Sequence, residues 1–230
     1  MSPYRKIFRN RHTLLPVIHV ESEEQALRNA EIACQQGCDG VFLINHGFGY
    51  DKLLEIHDVV TQAFPDWWVG VNCLDLPPHQ IFGKLSQHVA GVWVDNAGID
   101  EQTVEQRQAE TIEVARRASG WNGLYFGGVA FKYQRAVTDV GQAARLAARY
   151  VDVVTTSGAG TGKAAEYQKI VAMKKALGDT PLAIASGITP DNVETYLDVA
   201  DCFLVATGIS DSWTELNPKL VKRLVDKIRK

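Results

Sequence analysis

Short runs of apolar and often β-branched residues recur along the chain, separated by stretches in which apolar and polar residues alternate with a helical period. The pattern predicts eight strands, over residues 14–20, 40–45, 67–74, 91–95, 123–131, 151–156, 181–186 and 202–207. Most of these runs are apolar at successive positions, which is typical of parallel strands covered on both faces. We therefore expect a parallel sheet with helices packed against it.

Predicted helices follow the strands, over residues 22–37, 50–64, 79–89, 105–119, 138–150, 164–178, 189–199 and 217–230. Thr189-Pro190 and Asn217-Pro218 each place a capping residue before a proline, and Gly37 and Gly178 fall where helices should end. Eight strand–helix units in about 215 residues predict a single (β/α)8 barrel domain. It would span residues 1–230, with 1–12 as a lead-in.

The alternative fold is an open, doubly wound sheet. Such a sheet usually carries its phosphate-binding fingerprint after the first strand, where this chain has HVESEEQ. The glycine-rich turns follow the last three predicted strands instead, which is where a phosphate-binding barrel has them. The position of the glycines therefore favours the closed (β/α)8 barrel, of the TIM-barrel type.

Composition and charge exclude several classes of protein. Of the 230 residues, 46% are hydrophobic and 22% are charged, and the formal net charge is -3. These values are ordinary for a folded protein and give no electrostatic reason to expect nucleic acid or an anionic membrane as a partner. No apolar run is long enough for membrane insertion, and no signal-type segment follows the charged start, so we expect a cytoplasmic protein.

The sequence predicts neither a metal site nor a cofactor. The four cysteines show no CxxC spacing and no clustering with histidines: Cys34, Cys38, Cys73 and Cys202. We expect buried or half-buried thiols rather than a zinc, redox or disulfide site. No HExxH motif, EF-hand pattern or close carboxylate pair is present. The sequence leaves the formation of a homo-oligomer open.

Reactive side chains of a (β/α)8 barrel project from the carboxyl ends of its strands. Polar residues at these ends supply the candidate catalytic residues Lys132, Asp95, His19, Asn72 and Asp75, and the candidate substrate-binding residues Asn45 and Glu21. Lys132 follows an apolar strand, where a lysine can anchor an anion, transfer a proton, form a Schiff base or simply pair with Asp95. A carboxylate at Asp95 is costly unless it is paired or hydrated. His19 could equally be a core histidine bonded to main chain.

The glycine-rich turns are TTSGAGTGK (155–163), ASGITPDN (185–192) and ATGIS (206–210). A phosphate needs several converging N–H donors, and glycine lets the backbone bend and approach an anion without a Cβ in the way. The candidate phosphate-binding residues are Ser157, Gly158, Gly160, Thr161, Gly162, Ser186, Gly187, Thr207 and Gly208. The alternative is that Gly187 and Gly208 only form the tight turns that any barrel needs.

Several stretches match a known family: PVIHV, GCDGVFLIN, VGVN, FKY, VVTTSGAGTG, ASGITPDNVETYLDVADCFLVATGI and LNPKLVKRLV. On these residues the chain resembles, over nearly its whole length, the BtpA/SgcQ group of TIM-barrel proteins, within the ribulose-phosphate-binding barrel class. The segment 151–210 is the most specific part. The resemblance implies site roles for His19, Asn72, Lys132, Ser157, Gly158, Thr161, Gly162, Ser186, Gly187, Asn192 and Gly208.

The chain departs from this group at two places. The group's second strand tends to end in Glu-Asn, where this chain has Ile44-Asn45, and a lysine usually follows the eighth strand, where Ser210-Asp211 stands. We expect a small phosphorylated ligand, a sugar phosphate or nucleotide-related compound, and an enzyme of isomerase, aldolase or lyase type that uses acid–base chemistry. The missing acid and base favour the alternative, a non-catalytic phosphate-ligand-binding or assembly protein.

A phosphoribosyltransferase is a minor alternative. The stretch VDVVTTSGAGTG, residues 151–162, superficially resembles a phosphoribosyl-pyrophosphate loop, an apolar strand followed by a small glycine-rich turn. That loop normally has two adjacent acids to hold the ribose hydroxyls, and this chain has Thr155 and Thr156 there. The sequence therefore argues against phosphoribosyl transfer.

Overall fold

Eight parallel strands form a closed barrel in a computed structural model of the chain, which describes residues 2–230. The strands are β1 Thr13–Val20, β2 Gly40–Asn45, β3 Trp68–Asn72, β4 Gly91–Val94, β5 Leu124–Gly128, β6 Val153–Thr156, β7 Leu182–Ala185 and β8 Cys202–Val205. Each strand pairs with its neighbours in sequence, and β1 also pairs with β8, which closes the barrel. The predicted (β/α)8 fold is confirmed.

Helices occupy most of the connections on the outside of the barrel. They are α1 Pro3–Ile7, α2 Glu23–Gln35, α3 Tyr50–Ala63, α4 Pro78–Ile81, α5 Arg107–Ser119, α6 Val140–Ala147, α7 Tyr167–Leu177 and α8 Pro218–Ile228. Short 3-10 turns cover Phe82–Lys84, Val193–Tyr196 and Thr207–Ile209. As predicted, α8 begins at Pro218, and the Asn217 side chain caps it by accepting the N–H groups of Lys219 and Leu220.

Two predicted helices are wrong in extent. The segment 79–89 is helical only to Lys84, through α4 and the following 3-10 turn, and the segment 189–199 holds a single 3-10 turn. Thr189-Pro190 does not cap a helix. The Thr189 N–H donates to Asn192 Oδ1, and the N–H of Asn192 donates back to the Thr189 carbonyl, so residues 189–192 close into a turn of their own. This local hydrogen bonding competes with helix formation.

The hydrophobic core has two layers that follow from the alternation of side chains along each strand. One set of positions packs against the helices, for example Val154 and Leu182. The other set fills the barrel interior, where Phe42, Trp68 and Phe126 contact one another edge to face or tilted. Side chains therefore fill the barrel interior toward the amino ends of the strands, and open space lies at the carboxyl ends.

The amino-terminal segment closes the other end of the barrel. Tyr4 and Phe8, on and just after α1, are buried in the interior cluster, and the Phe8 ring lies 5.4 Å from that of Trp68. The Tyr4 hydroxyl bonds with the Thr13 hydroxyl at 2.6 Å and lies 3.1 Å from the Asp201 carbonyl oxygen. The lead-in therefore plugs the barrel and joins β1 to the residues before β8.

As predicted, the four cysteines are buried or half-buried: Cys38, Cys73 and Cys202 are buried and Cys34 is half-buried. All four are free thiols. Within residues 2–230, no three His, Cys, Asp or Glu side chains are grouped as a metal-binding set. Over the same residues, no helix combines the length and the apolar character that crossing a membrane requires.

We expect Tyr4→Phe to lower the free energy of unfolding by about 1 to 2 kcal/mol, because it leaves the buried Thr13 hydroxyl without this partner. Urea unfolding followed by circular dichroism measures the effect. Tyr167→Phe is the matched control, since Tyr167 is 40% exposed and its hydroxyl has no hydrogen bond within residues 2–230. Equal midpoints for the two variants would contradict this role of Tyr4.

Candidate active site

A cavity of about 270 Å³ opens at the carboxyl end of the barrel. Its floor is apolar and includes Val17, Ile44, Trp93, Ala185 and Leu204. Its walls carry the polar residues and glycines His19, His46, Asp95, Lys132, Thr161, Gly162, Ser186, Gly187, Thr207 and Gly208. The structure therefore brings three of the five candidate catalytic residues and six of the nine candidate phosphate-binding residues around one space.

Strand alternation explains why the catalytic candidates converge. Leu15 and Val17 face the barrel interior, so His19, two residues further along β1, points the same way. Asp95 stands in the same relation to the interior residue Trp93 on β4. His19 is at the last inward position of β1, and Asp95 is at the inward position directly after β4, so both side chains reach the cavity.

Asp95 is a carboxyl group with one close polar neighbour. Asn72 is buried, and its amide donates to Asp95 Oδ1 at 3.1 Å. Burial raises the pKa of Asp95, while the Asn72 hydrogen bond and the charges of Lys132 and His46 oppose the shift. Asn72 does not itself line the cavity. It orients the carboxyl group rather than reaching the open space.

Lys132 lies between the glycine-rich loops and the other catalytic candidates. Its main-chain N–H donates to Ser157 Oγ at 2.7 Å, and its ammonium Nζ lies 3.3 Å from Thr161 Oγ1. Throughout residues 2–230 no carboxylate forms an ion pair with Lys132, so the sequence alternative of pairing with Asp95 is not what the structure shows. A cation at the cavity wall is therefore left to face the open space.

The loop after β7 is braced against the loop after β6. Ser186 Oγ accepts the N–H of Gly158 at 3.0 Å and contacts the Lys163 carbonyl oxygen at 3.1 Å. Ser186 and Gly187 have φ values of +152° and +64°, and a Cβ at Gly187 would overlap the backbone of Lys163 and Ala164. Gly187 is needed for this close approach of two backbones.

The same packing recurs at two further glycines. A Cβ at Gly158 would overlap the Lys163 carbonyl oxygen, and one at Gly208 would overlap the carbonyl oxygen of Ile188. The sequence-based expectation was that glycine lets the backbone approach an anion. The structure adds a second reason at these three positions, because the space a Cβ would need is filled by neighbouring main chain.

Unpaired main-chain donors remain at the cavity after these contacts. In the described part of the chain no hydrogen bond uses the N–H of Gly187 or Ile188, and both residues line the cavity. Thr207 and Gly208 begin a 3-10 turn, so their N–H groups have no acceptor within it. Unpaired main-chain N–H groups on residues that line a concave space are suited to an oxyanion.

The remaining site candidates lie outside the cavity: Asn72, Asp75, Asn45, Glu21, Ser157, Gly158 and Gly160. Asn45 is buried, and its amide donates to Asp75 Oδ1 and to the Phe48 carbonyl oxygen, each at 2.7 Å. Asp75 in turn accepts the Tyr50 N–H at the start of α3. These two side chains join the loops after β2 and β3. Glu21 is exposed beyond the end of β1.

Sequence reasoning assigned no role to His46, a residue at a strand end, and missed Trp213, yet both rings contact His19 at the cavity. The His19 ring lies 4.8 Å from that of His46 and 3.9 Å from that of Trp213, between centroids. Trp213 belongs to the loop after β8, where neither strand period nor glycine pattern distinguishes it. His46 follows β2 directly, so its position at a strand end was a usable signal.

Lys169 was also missed, because it lies within a helical pattern. Its ammonium donates to the carbonyl oxygens of Ala130 and of Ser157, the latter at 2.7 Å. Burial lowers the pKa of Lys169 to about 8. Ala130 has a φ of +48°, an uncommon value outside glycine. Lys169 therefore ties the loop that carries Lys132 to the loop after β6.

The geometry can be compared with known proteins. A family model described as the BtpA family matches residues 90–230. The chain belongs to the BtpA family. The matched part of this BtpA protein contains Asp95, Lys132 and all three glycine-rich loops of the cavity. Among curated proteins, none matches it.

Solved structures share the fold of this BtpA protein at low sequence identity. (S)-3-O-geranylgeranylglyceryl phosphate synthase from Thermoplasma acidophilum is 18% identical with a TM-score of 0.67, over 100% of this chain and 99% of that one. Tryptophan synthase from Mycobacterium tuberculosis is 13% identical with a TM-score of 0.72, over 100% and 99%. Phosphoribosyl anthranilate isomerase from Thermus thermophilus is 14% identical with a TM-score of 0.62, over 94% and 97%. These likenesses support the TIM-barrel fold alone.

We expect Gly187→Ala to lower the free energy of unfolding by about 1 to 3 kcal/mol, because the added Cβ strains a positive φ and overlaps the backbone of residues 163–164. Gly160→Ala is the matched control: Gly160 lies in the loop after β6, which also holds residues 163–164, and the closest atom to an added Cβ would be the Tyr133 hydroxyl oxygen at 3.8 Å. Thermal unfolding compares the two. A Gly187 variant as stable as the Gly160 variant would show that the loops do not interlock.

His19 should make the protein less stable in acid. Burial first, then His46 and Lys132, lower its pKa from 6.5 to about 4. The unfolded chain therefore binds this proton at a higher pH than the folded chain, and stability is lost as the pH falls from about 6.5 to 4. Between pH 7 and 4 we expect the unfolding free energy of the parent to fall about 1 to 3 kcal/mol further than that of His19→Phe.

Urea titrations at several pH values measure this difference. The exposed His88 provides a control variant, His88→Gln, which should keep the acid sensitivity of the parent. If His19→Phe loses stability in acid as steeply as the parent, the imidazole is not held neutral by its surroundings.

Proposed function

We propose that the cavity binds a small phosphorylated metabolite and catalyses isomerase, aldolase or lyase-type acid–base chemistry on it. The observation that carries the proposal is the environment of Lys132. Its ammonium lies beside Thr161, next to the loops that present free N–H groups, and no carboxylate of residues 2–230 neutralises it. A cation next to convergent N–H donors is the arrangement that binds a phosphate dianion.

The phosphate would lie against the loops after β6, β7 and β8. Gly187 and Ile188 offer main-chain N–H groups, and the 3-10 turn at Thr207 offers two more. Interlocked backbones hold these donors in place before the ligand arrives, which lowers the entropy lost on binding. Four candidate phosphate-binding residues keep their proposed roles in this arrangement. Thr161, Gly162 and Ser186 line the cavity wall, and Gly187 offers a main-chain donor.

Asp95 is the proposed proton-transfer group. A carboxyl group transfers protons most effectively when its pKa approaches the working pH, and burial raises the pKa of Asp95 in that direction. His19 is neutral at pH 7, because its pKa is about 4, so it offers a hydrogen bond rather than a charge. Lys132 then holds the substrate's negative charge while Asp95 acts on the adjoining atoms.

The solved structures agree with a ligand of this kind. The geranylgeranylglyceryl phosphate synthase was crystallised with its substrate, sn-glycerol-1-phosphate, and another structural neighbour is a phosphoribosyl anthranilate isomerase. The synthase holds a phosphate ester, and the name of the isomerase contains a phosphorylated compound. Both proteins are barrels of the same fold. They support a phosphorylated ligand here without indicating which one.

A non-catalytic ligand-binding or assembly protein is the second candidate. The position where the BtpA/SgcQ resemblance implies an acid is Ile44, which contributes only aliphatic carbon to the cavity floor. Ser210, where a lysine is usual, donates its hydroxyl to the Ala206 carbonyl oxygen at 2.9 Å. Phosphoribosyl transfer is not proposed, because Thr155 is fully buried and Thr156 bonds to the Ala130 carbonyl oxygen, so neither replaces the missing acids.

The roles of Lys132 and Asp95 can be separated by substitution. We expect Lys132→Met to weaken binding of inorganic phosphate about 10- to 100-fold, the loss expected for a charged hydrogen bond. Lys132→Arg should weaken it less, because the positive charge remains. Asp95→Asn should keep phosphate affinity within about two-fold and reduce turnover about 10²- to 10⁴-fold. Calorimetry measures binding, and NMR of sugar phosphate mixtures detects turnover.

Each outcome bears on one candidate function. Phosphate that binds with equal affinity to the parent and Lys132→Met would refute the proposed anion site. Binding without conversion of any sugar phosphate would support the non-catalytic candidate. If Lys132→Arg abolishes turnover while phosphate binding persists, then Lys132 is itself the reacting amine, and borohydride trapping distinguishes an imine from acid–base use.

A further inference from the structure

We propose that the part of the cavity lined by the ends of β1 and β2 and by Trp213 binds a flat aromatic group, so that the ligand is an aromatic phosphate compound. This inference rests on the proposed phosphate site, since it concerns the other half of the same ligand. The residues that carry it are His19, His46 and Trp213, called here the aromatic wall.

The aromatic wall is made of three rings in mutual contact. His19 and Trp213 meet edge to face at 3.9 Å and 74°, and His46 and Trp213 meet at 5.4 Å and 61°. Trp213 is nevertheless 50% exposed, although an indole of this size is usually buried or engaged with a partner. The wall therefore leaves part of a large π surface uncovered at the cavity.

The ring nitrogens of the aromatic wall are unused. His19 is only 8% exposed, and within residues 2–230 its Nδ1 atom is buried without a hydrogen-bond partner. The side chains of His46 and Trp213 make no hydrogen bond in the same part of the chain. A buried polar atom without a partner is costly, and such atoms are retained mainly where a ligand or a reaction uses them.

The floor next to the aromatic wall selects against a bare sugar. Val17, Ile44, Trp93 and Leu204 are buried hydrophobic residues with no free hydrogen-bonding group at the floor except the Trp93 indole, whose Nε1 is also unpartnered. Several sugar hydroxyls placed there would lose water without gaining partners. A planar ring needs no such partners, and it can stack on Trp213.

The aromatic wall is fixed in position by the first helix after β1. The Thr214 carbonyl oxygen accepts hydrogen bonds from Gln25 Nε2 at 2.6 Å and from Asn29 Nδ2 at 3.0 Å. Asn29 Oδ1 accepts the Leu216 N–H at 2.7 Å, and Gln25 also donates to the His19 carbonyl oxygen. Both amide side chains are buried. A wall held this firmly is preorganised for a rigid, flat group.

The test compares three probes that share a phosphate: inorganic phosphate, phenyl phosphate and cyclohexyl phosphate. At pH 8 all three carry mainly two negative charges, and the two esters have rings of equal carbon number, of which one is flat. We expect phenyl phosphate to bind the parent about three- to ten-fold more tightly than cyclohexyl phosphate, the range of an aromatic contact beyond simple burial.

Variants locate the preference. Trp213→Leu should bring the two esters to within about two-fold of each other and leave inorganic phosphate unchanged, whereas Trp213→Phe should keep much of the preference. Tyr167→Leu is the control, because it removes an exposed aromatic ring that does not line the cavity. Circular dichroism confirms that each variant is folded.

The outcomes distinguish a failure of the aromatic inference from a failure of the proposed phosphate site. If none of the three probes binds, the proposed phosphate site is wrong. If inorganic phosphate binds but the esters bind equally, or if Trp213→Leu keeps the preference, the phosphate site stands and the aromatic inference is overturned.

Discussion

Backbone-to-backbone packing among the last three loops is the contact on which the cavity depends. Gly158, Gly187 and Gly208 each lie where a neighbouring main chain leaves no room for a Cβ. The packing pulls the loops after β6, β7 and β8 into one rigid edge, and Ser186 adds hydrogen bonds across two of them. Residues with unpaired main-chain N–H groups therefore line the cavity on loops that cannot turn independently.

The opposite side of the rim is organised by side-chain pairs instead. Asn45 bonds to Asp75, and Asn72 bonds to Asp95. The first pair joins two loops away from the cavity, and the second orients a carboxyl group toward it. The rim thus has one half in which main chain contacts main chain and another in which amides position acids. This division separates a rigid half suited to holding an anion from a half suited to chemistry.

The fold was predictable because its signal is repeated. Eight apolar runs are each followed by a helical pattern, so an error of a few residues in one element leaves the predicted topology unchanged. The two helices predicted too long, at 79–89 and 189–199, did not alter it. Strand ends are equally predictable, so the sequence places His19, Asp95 and Lys132 at the rim, and all three line the cavity.

The details of the site were less predictable, for physical reasons. Whether a rim amide faces the cavity depends on cross-loop hydrogen bonds, such as that from Asn45 to Asp75, which join residues 30 positions apart. Whether a position requires glycine depends on which neighbouring backbone packs against it in the folded chain. Trp213 belongs to a loop and Lys169 to a helix, neither with a distinguishing local pattern. Only the closed barrel brings Trp213 to the cavity and Lys169 to the two loops that it joins.

The hydrogen bonds from Gln25 and Asn29 to Thr214 connect positions 189 and 185 residues apart. During synthesis on the ribosome, the helix that carries both amides emerges long before the loop that they hold. Their donors must therefore remain solvated, or bond elsewhere, until the eighth strand has paired with the first and the loop has followed. One wall of the cavity is accordingly assembled last, so a ligand that contacts it can stabilise the finished barrel but cannot guide the folding of its earlier half.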